Sequence, residues 1–170
     1  MRIWNRWFLL VLFATTYTSG EGETARTEAF AAEALSRVEE KPSVQGDEPG
    51  WFFLVRELRH LATGAFWEGD WNEVAANATD PVPSMLEFHE LLKERGVELI
   101  LVPVPAKGRI YPEKLDQDFN ATDAVSLTPL IEQLNEEGLT VIDLDALFRS
   151  QRQSDPDSKL YCEQDAHYSP

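Results

Sequence analysis

Between Ser84 and Leu144 the chain alternates between helix-like and strand-like stretches, and that rhythm leaves few folds open. Ser84-Met85-Leu86-Glu87 has capping-box spacing, in which the two side chains satisfy free N–H groups at a helix start. It predicts a helix that runs to Arg95 and stops at Gly96, since glycine accepts the left-handed conformation of a helix end. Val97 to Val104, Glu98 aside, is apolar and rich in β-branched residues up to Pro103, which predicts a strand. Thr128-Pro129 opens a second helix that closes at Gly138, and Leu139 to Leu144 reads as a second strand. Strand, helix and strand in this order imply parallel strands with right-handed crossovers, an α/β architecture.

The flanking sequence is less regular. Residues 24–40 are rich in Ala, Glu and Arg and predict a helix. Lys41 to Gly50 holds two prolines and two glycines, which marks a linker or turn, and Trp51 to Val55 after it predicts a buried strand. Residues 64–81 carry Trp67 and Trp71 without clear periodicity and read as an irregular loop. Ligands of open α/β sheets bind beyond the carboxyl ends of the strands. Two segments leave such ends: Pro105 to Pro112, with Lys107, Arg109 and Tyr111, and the stretch holding Asp143 and Asp145. Asp145 is expected to cap a short helix over 146–150.

The last residues, Asp165-Ala166-His167-Tyr168-Ser169-Pro170, suit the charged half of a Ser-His-Asp triad. A carboxylate there can hold the imidazole tautomer and stabilise the imidazolium formed when a serine proton is taken. Histidine supplies a base that titrates near neutral pH. Ser169 reads as an N-cap and Pro170 as the first residue of a helix, so the expectation is a domain cut short at its C-terminus. Cys162 is the only cysteine, with nothing electropositive beside it in sequence, and is expected to be a buried or paired structural thiol.

Arg2 and Arg6 precede the apolar run Trp7 to Phe13, and Ala14 to Gly20 is small or polar apart from Tyr17. That is the build of a secretory signal peptide cleaved near Gly20, and the run is too short to span a bilayer. There are 30 acidic against 15 basic residues, a formal charge of −15, which disfavours nucleic acid and anionic membrane as partners. His60 and His89 are too scattered to join His167 in a metal set, and no Gly-rich phosphate loop or Gly-X-Ser-X-Gly elbow is present. No metal and no cofactor are therefore expected.

Three blocks carry a family resemblance: Gly50-Trp51-Phe52-Phe53-Leu54 with Arg56-Glu57-Leu58, Val102 to Pro112, and Tyr161 to Pro170. Together they resemble the alginate O-acetyltransferase family, the SGNH-hydrolase-like proteins of AlgX/AlgJ type that act on bacterial exopolysaccharides. The resemblance implies a three-layer α/β/α sandwich with a parallel sheet, over residues 50–170, behind a signal peptide over 1–20 and a helical extension and linker over 21–49. It implies periplasmic O-acetylation of an alginate-like polysaccharide by two-step acyl transfer, with Asp165 and His167 catalytic. Lys107, Arg109 and Tyr111 would then contact substrate, the cations meeting a sugar carboxylate unless they are solvated loop charges. The family's serine lies downstream of the Asp-X-His block, so the 170-residue chain by itself is expected to be inactive. The expected partners are the polysaccharide, an acetyl donor and other exopolysaccharide biosynthesis proteins. Two other readings stay open: an SGNH-type acetyl esterase, and a glycan-binding or scaffold module of an export complex that stacks sugars on Trp51, Trp67 and Trp71.

Overall fold

The computed structural model describes residues 19–68 and 81–168. Residues 1–18 of the expected signal segment, Trp71, Ser169 and Pro170 lie outside the described residues. Helix α1 (Ser19–Ser36) is followed by strand β1 (Ser43–Gln45), strand β2 (Phe52–Leu54) and helix α2 (Val55–Ala62). A 3-10 turn at Phe66–Glu68 and helix α3 (Val82–Lys93) lead to strand β3 (Ile100–Leu101). Two single-turn helices, α4 (Lys107–Ile110) and α5 (Pro112–Leu115), precede α6 (Thr128–Glu136), strand β4 (Thr140–Val141) and α7 (Leu144–Ser154).

The strand–helix–strand rhythm is present, but the ladders are short. β3 and β4 pair in parallel, with Ile100 opposite Thr140 and Leu101 opposite Val141. The expected strand over 97–104 shrinks to two residues because Pro103 and Pro105 have no N–H to donate to a ladder. β4 ends as early, since Leu144 already begins α7. The other sheet is antiparallel: Val44 of β1 faces Phe53 of β2, so a strand lies inside the stretch that reads as linker. The 24–40 helix sits earlier, over 19–36.

Helix boundaries show which local signals matter. Gly96 and Gly138 take φ of +70° and +88° at the ends of α3 and α6, as their stop positions require. Ser84 does not cap α3, which begins two residues earlier behind Pro81. The cap of α7 is Asp143, whose Oδ1 accepts the Ala146 N–H at 2.8 Å. Asp145 is buried instead, in an ion cluster described below.

Apolar burial forms three connected groups. Phe30 and Ala34 of α1 pack with Phe53, Leu58, Leu61 and Leu115. Val82, Leu130, Leu134 and Leu139 gather under β3 and β4, with Trp67 at their margin. Ile110, Tyr111 and Tyr161 make a third group, joined by Trp51 and Phe148, directly beneath the C-terminal loop. The turn between β1 and β2 is pressed against α5. A Cβ on Gly46 would stand 2.2 Å from the Lys114 carbonyl oxygen and 2.8 Å from the Phe53 ring. Gly46→Ala is therefore expected to destabilise the fold by about 1–3 kcal/mol, the usual cost of overpacking. Chemical denaturation followed by circular dichroism measures it, and an unchanged midpoint would show that the turn yields freely.

Candidate active site

The loop from Ser158 to Tyr168 has little secondary structure of its own and is shaped by what holds it. Tyr161 and Tyr168 form an isolated antiparallel bridge, and inside it the Cys162 N–H donates to the His167 carbonyl at 3.0 Å. The Phe52 N–H at the start of β2 donates to the Glu163 carbonyl at 2.9 Å. Asp165 and His167 sit at the tip. His167 Nδ1 lies 2.9 Å from Asp165 Oδ2, and the other carboxylate oxygen accepts the Ala166 N–H at 2.6 Å. The His167 hydrogen bond, and then that from Ala166, hold the Asp165 carboxyl below the usual carboxylate range. Both side chains stand in solvent, with 84% of the His167 side chain exposed. With Nδ1 bonded to the carboxylate, Nε2 is the nitrogen left to exchange a proton with a reactant.

The segment that leaves β3 lies under this loop, and its charged residues point inward. Lys107 is wholly buried, and its ammonium donates to the Phe52, Cys162, Glu163 and Asp165 carbonyls at 2.9, 2.6, 2.6 and 3.2 Å. The Trp51 and Phe53 rings flank it, at 4.8 and 5.2 Å. Burial pulls the Lys107 pKa down to about 8, against the opposing pull of the Glu57 carboxylate. Glu57 itself is pushed up, chiefly by burial, with the Lys107 backbone N–H acting in the opposite sense.

Arg109 is also buried. It donates to the Asp145 carboxylate at 3.2 Å and to the Val125 carbonyl, while Arg149 takes the second Asp145 oxygen at 2.9 Å. The Tyr111 hydroxyl donates to the Ser158 carbonyl at 2.6 Å and accepts the Leu160 N–H at 2.8 Å. The Arg152 guanidinium lies 4.2 Å from the Tyr111 ring. Tyr161 is buried with its hydroxyl on the Pro105 carbonyl, and burial is the main reason its pKa rises well above the tyrosine norm.

Thus the structure brings Asp165 and His167 together and places Lys107, Arg109 and Tyr111 behind them. The solvated-loop picture of the two cations does not hold, because α4 turns them into the protein, where backbone carbonyls and Asp145 take their donors. The donors of both side chains are taken by protein groups, and Arg109 also lines the cavity described below at the carboxyl end of β3. Trp51 leans on Tyr111 with ring centroids 4.8 Å apart, and Trp67 meets Phe66 edge-on, so both rings pack internally. Cys162 is exposed rather than buried, since the residue's N–H and carbonyl are the parts turned to the protein. The sequence signal missed for Tyr161 was an aromatic beside the Asp-X-His block with a hydroxyl that must be satisfied once buried.

A cavity of about 310 Å³ opens at the carboxyl end of β3, lined by Val102, Val104, Met85, Leu130 and His60. It occupies the position that strand topology assigns to a ligand, but Asp165 and His167 are not part of its wall. The bonded pair is the better guide to chemistry, because proton transfer needs the two groups in contact and this apolar cavity contributes neither. Among the described residues no cluster of His, Cys, Asp and Glu could hold a metal ion, and no helix is long and apolar enough to cross a membrane.

The family described as the SGNH hydrolase-like domain of acetyltransferase AlgX matches residues 44–170. A Pseudomonas aeruginosa protein named "Probable alginate O-acetylase AlgJ" is 29% identical over 132 residues. That match covers 78% of this chain and 30% of the relative, so the chain spans about a third of the relative's length. No solved structure matches.

Proposed function

The chain belongs to the SGNH hydrolase-like acetyltransferase family of AlgX type, and from that membership we propose that it supplies the Asp–His half of a polysaccharide O-acetyltransferase. The observation that carries the reading is the 2.9 Å contact of His167 Nδ1 with Asp165, inside the span that matches the family. Asp165 holds the imidazole with its proton on Nδ1, which leaves Nε2 as the base. A serine outside the described residues attacks the carbonyl carbon of an acetyl donor, and its proton passes to Nε2. His167 hands that proton to the departing donor group, leaving an acetyl-serine. A sugar hydroxyl then attacks the ester, His167 takes the hydroxyl proton, and it returns that proton to the serine oxygen as the acetyl group moves to the sugar.

The AlgJ relative supports an alginate-like exopolysaccharide as acceptor. The charged and apolar N-terminal sequence supports export to the periplasm, with residues 1–20 as signal peptide and 50–170 as part of the catalytic domain. The SGNH hydrolase-like description supports placing β3 and β4 in the parallel sheet of a three-layer α/β/α sandwich.

The test uses the protein as the cell makes it, a chromogenic acetyl ester as donor and a de-acetylated exopolysaccharide as acceptor. Polymer-bound acetyl is read by NMR and donor consumption by absorbance. The expected result is acetyl ester on sugar hydroxyls, formed faster than free acetate. Consumption of donor to free acetate alone would replace the reading with an esterase. Binding of polymer with no donor consumption would replace it with a glycan-binding module.

A further inference from the structure

We infer that Lys107 is a positioning residue for the Asp165–His167 pair: its buried ammonium gathers the backbone of the loop that carries both and so sets where the imidazole stands. The inference rests on the active-site reading above for the purpose of that positioning, but its geometry is independent of it.

A lysine with no exposed surface normally needs a carboxylate partner. Here the groups within hydrogen-bond distance of the ammonium are backbone carbonyls. One of them, Phe52, belongs to β2; the other three, Cys162, Glu163 and Asp165, belong to the catalytic loop. An ammonium has three protons for these four acceptors, so the 3.2 Å contact to Asp165 shares a proton with a shorter one. Three carbonyls within four residues can converge on one point only if the loop curls around it. That curl turns the Asp165 carbonyl inward and leaves its carboxylate on the outer side, where it meets His167.

Other contacts make the ammonium a rigid anchor. The Trp51 and Phe53 rings flank it, where their π faces favour a cation. The lysine stem rises from α4, a turn fixed in the core by Ile110. Gly108, next in sequence, lies close under Leu61, whose Cδ1 would have to shift to admit a Cβ that would stand 2.8 Å away. The catalytic loop is therefore referred to the core through one charged side chain, with Tyr111 holding its earlier end at Ser158 and Leu160.

Lys107→Met keeps the length and apolar stem and removes the donors. The readout is the imidazole ¹⁵N spectrum of His167, with amide exchange measured across the chain. The expected result is a shift of neutral His167 away from the Nδ1–H tautomer, toward the distribution of a free imidazole. Amides of 162–168 should exchange faster, while those of α1 and α2 keep their protection. In the acetyl-transfer assay kcat should fall at least tenfold with KM unchanged. A folded Lys107→Met protein whose His167 spectrum matches wild type would overturn the inference. If the variant does not fold, the wild-type Lys107 Nζ decides. A slowly exchanging ammonium with couplings through hydrogen bonds to the Cys162 and Glu163 carbonyls supports it, and a rapidly exchanging one overturns it. Failure of the catalytic reading would appear elsewhere, as full acetyl transfer after loss of His167, and would leave these spectra unchanged.

Discussion

Replacing His167 with alanine is expected to lower kcat for acetyl transfer by about 10⁴-fold or more, with the fold intact. The size follows from what a triad base does: without it the serine must lose its proton to water, and only binding and oxyanion stabilisation remain. The fold should survive because the His167 side chain is 84% exposed, so its removal opens no cavity. The loop keeps its shape through backbone contacts that alanine retains, including the Cys162 N–H on the residue-167 carbonyl. Asp165→Asn is the informative companion. It keeps the volume but offers an amide where a carboxylate held the Nδ1 proton, so it should lose much of kcat through the wrong tautomer. Acetyl incorporation into polymer and far-ultraviolet circular dichroism together measure the outcome. A His167→Ala protein that transfers acetyl at the wild-type rate would remove the triad assignment.

Asp145→Ala is expected to be the most damaging substitution for stability, at about 3–5 kcal/mol, the usual cost of breaking a buried ion pair by removing one partner. Asp145 is 6% exposed and faces two guanidinium groups, Arg109 at 3.2 Å and Arg149 at 2.9 Å. Arg109 is itself 3% exposed, so its charge would be stranded out of water, while Arg149 is more accessible and can rehydrate in part. A loss of that size is a large fraction of the 5–15 kcal/mol that holds a typical domain together. The double variant Asp145→Ala with Arg109→Met should be less damaged than the single one, because the stranded cation is gone. Urea denaturation of the three proteins measures both effects. A single-variant cost under about 1 kcal/mol would mean that water already solvates this cluster.

These two predictions rest on different levels of information. Asp165 and His167 were legible because their pairing is local. Two side chains two residues apart can meet across one bend of the chain, and the flanking block carries the family resemblance. The helix stops at Gly96 and Gly138 were legible for the same reason, since φ of +70° and +88° is a property of the residue itself. The start of α6 at Thr128 was equally local, with Pro129 in its first turn.

What the sequence alone did not reveal is where the charged side chains point. Lys107 and Arg109 have the composition of a surface loop, and cations are rarely buried, so a solvent-facing role was the natural reading. Only the tertiary fold supplies the acceptors that make their burial possible: carbonyls from Phe52 and from residues more than fifty positions away, and Asp145. The same non-local logic moved the cap of α7 from Asp145 to Asp143, because an aspartate claimed by two arginines cannot also serve a helix end. It exposed Cys162 by turning that residue's backbone toward Lys107. By itself the sequence determined the α/β rhythm, the helix stops at Gly96 and Gly138 and the meeting of Asp165 with His167, all of which depend on neighbours along the chain. The tertiary structure decided which charges hold the loop that carries Asp165 and His167, because a buried cation is tolerated only where distant parts of the chain bring acceptors to it.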